Sequence, residues 1–309
     1  MTGGPTTNRR ERRGRPDPFG SFDTGRRLES LQRAHTVYAH EGLRGLARAS
    51  TAFAIRRPVV HPQLHWAIAS AYYSRICAND VAAWPHGPDP FVLEWVDPDR
   101  IRRHTRREYP PYRDRLELFG AVRGGDWDRR TSPTVDPTYE GPPASLFLAD
   151  EFEDSTLYRS LEARFNRAVP WSETELIRAA TALLEADSPE RVWHECTTMT
   201  EIRARCRHLD TLYEQIRTLG YRSERERIGV DPEIGFRHVM RNEITVDVGR
   251  DGELLLVAGK HRLAIAKLLD LEAVPVVFLV RHPEWMAHRE RVATGEDQDT
   301  HPDCRALRS

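Results

Sequence analysis

Two of the 46 basic residues are lysines, Lys260 and Lys267, and both fall in one short segment. Lys260 belongs to Gly259-Lys260-His261-Arg262, directly after the apolar run Leu254-Leu255-Leu256-Val257-Ala258. A strand that runs into a glycine and then a helix start leaves backbone N–H groups unpaired, and the helix dipole adds roughly half a positive charge there. Anions bind at such places. Gly259 lets the backbone approach a ligand closely, Lys260 adds a point charge, Arg262 adds a planar fork for two phosphate oxygens, and His261 adds a donor that can also move a proton. The expected ligand is a phosphate group carried by a nucleotide. A plain left-handed turn with solvated charges is the alternative.

A second cluster, Gly124-Gly125-Asp126-Trp127-Asp128, sets two carboxylates in a glycine turn flanked by Arg123 and Arg129. Asp126 and Asp128 can hold a magnesium ion against nucleotide phosphates, or one of them can act as base toward a substrate hydroxyl. An Asx-type turn with a packed Trp127 competes with that reading. Arg281 and His282, followed by Trp285, end an apolar run, and side chains at strand ends often face a ligand. Phosphate binding or base stacking there competes with simple capping. His194, Glu195, Cys196, Cys206 and His208 lie close in sequence, but the spacing of Cys196 and Cys206 matches no common zinc pattern, so helix packing is expected.

The elements that must position these residues follow from periodicity. Ile244, Val246 and Val248 alternate with Glu243, Thr245 and Asp247, the stretch Gly249-Arg250-Asp251-Gly252 supplies a turn, and residues 254–258 return, which predicts a β-hairpin. Gly259 to Arg262 then open a helix over 263–271, residues 274–280 form a buried strand, and Pro283 begins a final helix. Upstream, Phe91 to Val96 reads as a strand and 129–145 as a surface loop. Helical spacing recurs over 28–55, 62–77, 145–186 and 190–219. Ser172 and Glu175 have the layout of a reciprocal N-terminal cap, and Gly220 is expected to end the last of these helices in the left-handed conformation.

With hairpin, turn, helix and strand in order, the pattern Gly252-x6-Gly259-Lys260-His261-Arg262-Leu263-Ala264-x-Ala266-Lys267-x-Leu269-x-Leu271-x3-Pro275-Val276 resembles the ParB and sulfiredoxin superfamily. Members carry a Gly-x-(His/Arg)-Arg turn leading into an Ala-rich helix and a strand. The resemblance covers residues 243–289 and implies an α+β fold, a small mixed sheet with helices. It also implies a nucleotide on the turn: CTP in the chromosome-partition proteins, ATP in sulfiredoxin, ADP or ATP in the free-serine kinases, and the His-Arg pair here is closer to the sulfiredoxin and serine-kinase versions than to the Arg-Arg form common in partition proteins. Leu209-x2-Leu212-x3-Ile216-x3-Gly220 resembles the family's central helix, and Phe91 to Ile101 its opening strand. The implied domain runs over 91–292, with a helical insertion at about 130–205 that departs from the family pattern. Lys260 stands where sulfiredoxin has its reactive cysteine, which argues against sulfinic-acid reduction.

The resulting expectation is a nucleotide- or phosphate-binding protein, with ATP- or ADP-dependent phosphotransfer to a small hydroxyl acceptor as the reaction such an inventory can serve. Lys260, His261 and Arg262 would clamp phosphates, joined by Arg281 and His282, while Asp126 and Asp128 served magnesium or base chemistry. Two alternatives stay open. A DNA-associated, partition-like or regulatory protein would use nucleotide binding as a switch, but no helix-turn-helix pattern follows Trp285. A non-catalytic interaction scaffold is the other.

Composition narrows the setting. A net charge of −1 on 309 residues gives no global field toward nucleic acid or an anionic membrane, so nucleic acid is not the favoured partner. Arg56, Arg57 and Arg75 interrupt the most apolar stretches, so no membrane span is expected. Four cysteines without a C-x-x-C pair suit reduced thiols in the cytoplasm. Residues 1–25 read as a disordered tail, either simply solvated or, through Arg9, Arg10, Arg12, Arg13 and Arg15, a basic contact arm. Residues 26–85 read as a helical region and 293–309 as a polar tail.

Overall fold

The structure, a computed structural model, describes residues 61–308 except 187–191, 195, 229, 232 and 233, together with six residues between 35 and 43. The expected tail over 1–25 and nearly all of the helix expected over 28–55 lie outside the described residues. The sheet and the helices packed on it belong to one compact unit, Ala54–Ser309.

The chain is α+β around one mixed sheet. In chain order its helices and strands are α1 (Pro62–Tyr73), β1 (Leu93–Val96), β2 (Ile101–His104), α2 (Arg115–Leu118), β3 (Ala121–Val122), α3 (Thr156–Asn166), α4 (Glu175–Glu185), α5 (Met199–Leu219), α6 (Phe236–Asn242), β4 (Ile244–Val248), β5 (Leu254–Ala258), α7 (Lys260–Leu268), β6 (Val274–Arg281) and α8 (Pro283–Thr294). The strand order is β1-β6-β4-β5-β2, with β3 beside the end of β6. The pair β4 and β5 is the expected hairpin, antiparallel from Val248 opposite Leu254 to Thr245 opposite Ala258. β6 lies parallel to β4, and β2 lies parallel to β5.

Alternation in the central strands sorts side chains into two cores, one on each face of the sheet. Ile244, Val246, Val248, Leu254, Leu256 and Phe278 join one core, which α3, α4, α5 and α7 cover with Leu157, Leu161, Leu176, Ile177, Ile202, Leu209, Leu263 and Ala266. Leu255, Val257, Val277 and Leu279 face the other, where Trp66 and Tyr73 of α1 meet Phe236 and Met240 of α6. Tyr73 stacks on Phe236 at 5.0 Å between ring centroids. Residues of the expected helical insertion, among them Phe152, Leu157 and the fully buried Trp193, therefore form one face of the main core. Burying each large apolar side chain there contributes about 1.5–3 kcal/mol.

Local expectations differ in two places. Ser172 lies in a 3-10 turn and Thr174 caps α4 without a side-chain bond, because the Leu176 N–H is taken by Ser160 Oγ of α3 at 2.9 Å. The reciprocal cap instead forms at α5, where Thr198 Oγ1 accepts from Glu201 N and Glu201 Oε2 accepts from Thr198 N. Gly220 has φ 74° but ψ 170°, so the helix ends in an extended step rather than a left-handed cap.

The polar composition of residues 293–309 conceals an internal anchor. Asp303, 5 % exposed, accepts from Arg281 Nε at 3.0 Å and Trp285 Nε1 at 2.9 Å, while its carbonyl accepts from Arg289 Nε at 3.0 Å. Burial alone would raise its carboxyl pKa, but the Arg281 and Arg289 guanidiniums hold it below the usual range.

Candidate anion-binding site

β2 and β5 run parallel with His104 opposite Leu256, so their carboxyl ends open on the same side of the sheet. Ligands commonly bind outside the carboxyl ends of parallel strands. There the chain turns through Gly259, at φ 91° and ψ 18°, into α7. A Cβ at Gly259 would stand 2.8 Å from the Ile244 Cα, so this close, left-handed turn requires glycine. No side chain caps the first turn of α7, whose residues Gly259 to Arg262 line the cleft.

The cleft, of about 950 Å³, is lined at its floor by Lys260, His261 and His104, and at its sides by Arg205, His194 and Arg115. Lys260 Nζ lies 3.2 Å from the Phe147 ring centroid, and no carboxylate pairs with it among the described residues. Burial, then the Arg205 cation, push its ammonium down to about 7. His104, 6 % exposed at the end of β2, has no hydrogen-bond partner at either ring nitrogen. Burial, then Lys260 and Arg106, push it down to about 3. His261 is 7 % exposed with Nε2 unpartnered, its ring 4.9 Å from His194, and burial with surrounding cations and histidines holds it well below its ordinary value.

Further cations complete the wall. Arg205 Nη2 lies 3.3 Å from His194 Nε2, and its Nε has no partner. Arg115 donates from Nη1 to Thr245 Oγ1 at 3.2 Å and from Nη2 to the Arg241 carbonyl, while burial, then the Arg241 cation, push it down to about 10. Among the described lining residues Glu140 is the one carboxylate. Tyr109, Tyr112 and Tyr139 form an aromatic side, with the Tyr109 ring 5.1 Å from Tyr139 and 6.5 Å from Tyr112. The result is a cleft whose floor carries cations and imidazoles with no paired carboxylate among the described residues, beside a surface on which a planar group can stack.

The residues singled out from sequence divide between two ends of the sheet. Gly259, Lys260 and His261 meet in the cleft. Arg262 also lines it, but Nη1 donates to the Asn242 carbonyl at 2.6 Å and Nη2 is paired with the buried carboxylate of Glu224, so its fork is already engaged. Asp126 and Asp128 lie at the hairpin end, where Asp128 Oδ2 accepts from Arg250 N and Nε at 2.9 Å each and Asp126 Oδ1 accepts from Arg250 Nη2 at 2.8 Å. Burial opposes ionisation of Asp128, but its bonds to Arg250 outweigh that and hold the carboxyl at about 2. The length of β5 puts roughly 15 Å between this turn and Gly259. The expected base or magnesium role of Asp126 and Asp128 against phosphates on the Gly259 turn is therefore not supported by their positions.

Arg281 and His282 sit at the same far end, Arg281 on Asp303 and His282 Nε2 3.1 Å from the Gly125 carbonyl oxygen, so neither joins the cleft. Trp127 is packed, its Nε1 donating to the Arg123 carbonyl at 2.9 Å, in keeping with the structural-turn alternative. His194 and His208 line the cleft while Cys196 and Cys206 are buried in the core, and no group of three or more His, Cys, Asp or Glu is placed to hold a metal ion among the described residues. His104, Arg115, Arg205 and the three tyrosines carry no sequence motif; the pairing of β2 with β5 brings His104 to the cleft, α5 brings Arg205, α2 brings Arg115, and loops bring the tyrosines.

No protein-family model, curated protein or solved structure matches the chain. Among the described residues no helix is long and apolar enough to cross a membrane. The chemistry of the cleft must be argued from its own residues.

Proposed function

We propose that the cleft binds the phosphate group of a small molecule, with a nucleotide as the ligand that the resemblance to the ParB and sulfiredoxin superfamily supplies. The observation that carries this reading is Lys260, an amine at a helix start, among other cations and without a paired carboxylate among the described residues. A phosphate there would accept from the α7 amides and from Lys260, with Arg205 and Arg115 within the same cleft, and would supply the missing counter-charge. The tyrosine side gives a nucleobase a place to stack.

Binding, rather than phosphoryl transfer, is what these positions support, because the carboxylates expected as base and metal ligands serve Arg250 instead. The test is calorimetric titration with ATP, ADP, CTP and pyrophosphate, with and without magnesium. Lys260→Ala should weaken binding by about 1.5–3 kcal/mol, roughly ten- to a hundredfold. Asp128→Asn should leave affinity unchanged. Wild-type protein that is folded yet binds none of the four would remove the reading.

A further inference from the structure

The two lysines of this chain are held in opposite ways. Lys267 donates to Asp99 at 3.1 Å and to Glu153 at 2.9 Å, an ordinary ion-paired ammonium. Lys260 has an aromatic ring beside it, Arg205 near it, no acid partner among the described residues, and an open cleft in front. Desolvation and neighbouring cations both favour the neutral amine, the form that attacks a carbonyl carbon. Both ring nitrogens of His104 and Nε2 of His261 are buried without a hydrogen-bond partner among the described residues.

We propose that Lys260 forms an imine with a phosphorylated aldehyde or ketone bound in this cleft, an inference that rests on the phosphate reading above. The α7 amides with Arg205 then hold the phosphate, and the carbonyl reaches Nζ. The amine lone pair attacks the carbonyl carbon, and one proton passes from nitrogen to oxygen to give a carbinolamine. The C–O bond then breaks, the hydroxyl leaves as water with the second proton from nitrogen, and a C=N bond remains. No oxidant or other co-reactant is consumed. His104 and His261, whose unpartnered ring nitrogens line the same cleft, would relay the protons from nitrogen to the departing oxygen.

Having two lysines makes the test direct. The full chain at pH 7 is incubated with pyridoxal 5′-phosphate or, in parallel, pyridoxal, reduced with cyanoborohydride, and mapped by peptide mass. Lys260 should carry the adduct at least about tenfold faster than Lys267 and than in the pyridoxal arm, since at this pH an unperturbed lysine is almost wholly protonated. Pyrophosphate should compete, Lys260→Arg should lose the adduct, and Lys267→Arg, which lies on Asp99 and Glu153 outside the cleft, should keep both the adduct and pyrophosphate binding. Equal labelling of the two lysines, equal labelling by the two aldehydes, or no adduct on Lys260 overturns the inference. Pyrophosphate binding without an adduct removes the imine and spares the phosphate reading, whereas absence of both removes both.

Discussion

Anion binding in the cleft should take up a proton. Without ligand the Lys260 ammonium loses its proton at about 7, because burial and Arg205 oppose its charge. An anion against Nζ reverses the sign of the local field and returns the group to the ordinary lysine range, about 10.4. Affinity then scales with the fraction of free protein already protonated at Lys260, so it should fall roughly thirtyfold from pH 6 to pH 8.5, about 2 kcal/mol. Sulfate is the right probe because it stays a dianion throughout that interval, leaving the protein as the titrating partner. Calorimetry in two buffers of different ionisation heat counts the protons directly: about half a proton per sulfate at pH 7, and close to one at pH 8.5. Lys260→Arg should flatten both the affinity profile and the uptake. Extra uptake below pH 6 would come from His104 and His261, whose imidazoles also lie below their ordinary value. Affinity that is flat across the range, with no proton uptake, would refute the reasoning, since Lys260 would then be charged without the ligand or out of its reach.

Other perturbations separate binding from stability. Lys260→Met removes a desolvated amine without a counter-charge and keeps its length, so the ligand-free protein should melt a few degrees higher while anion binding is lost; a lower melting temperature would mean that Lys260 is structurally required. Gly259→Ala places a methyl 2.8 Å from the Ile244 Cα at a left-handed φ of 91°, and should destabilise by about 2 kcal/mol or more in urea unfolding. Asp303→Ala strands Arg281 and Arg289 in the interior and should cost about 3–5 kcal/mol by the same measure; a loss below about 1 kcal/mol would mean that water satisfies those guanidiniums.

The segment from Glu243 to Arg289 was legible from sequence because its signals are local. Alternation marks β4, glycine marks the turn, and an apolar run marks β6, so the expected hairpin, helix and strand agree with the observed elements to within a few residues. The charges were not legible in the same way, because what a charged side chain does depends on its partner. Arg262 looks like a phosphate fork in isolation, yet Glu224 occupies it from 38 positions away. Asp128 looks like a metal ligand until Arg250, 122 positions later, takes both oxygens. His104 ends a strand whose neighbour β5 lies some 150 residues downstream, and the run Ile101-Arg102-Arg103-His104 has no apolar alternation to announce it. Local periodicity thus recovers the turn that bears Lys260, while long-range pairing decides which of the surrounding charges stay free.

The most direct test of an anion at Lys260 uses the scarcity of lysine in this chain. Protein labelled with ¹³C at the lysine ε-carbon should show two signals, from Lys260 and Lys267. One, lost in Lys260→Arg, should titrate near pH 7, shift on addition of pyrophosphate and then titrate above pH 9, while pyrophosphate leaves the Lys267 signal where it was. Two signals that both titrate in the ordinary lysine range, neither moving with pyrophosphate or with ATP, would contradict the anion site.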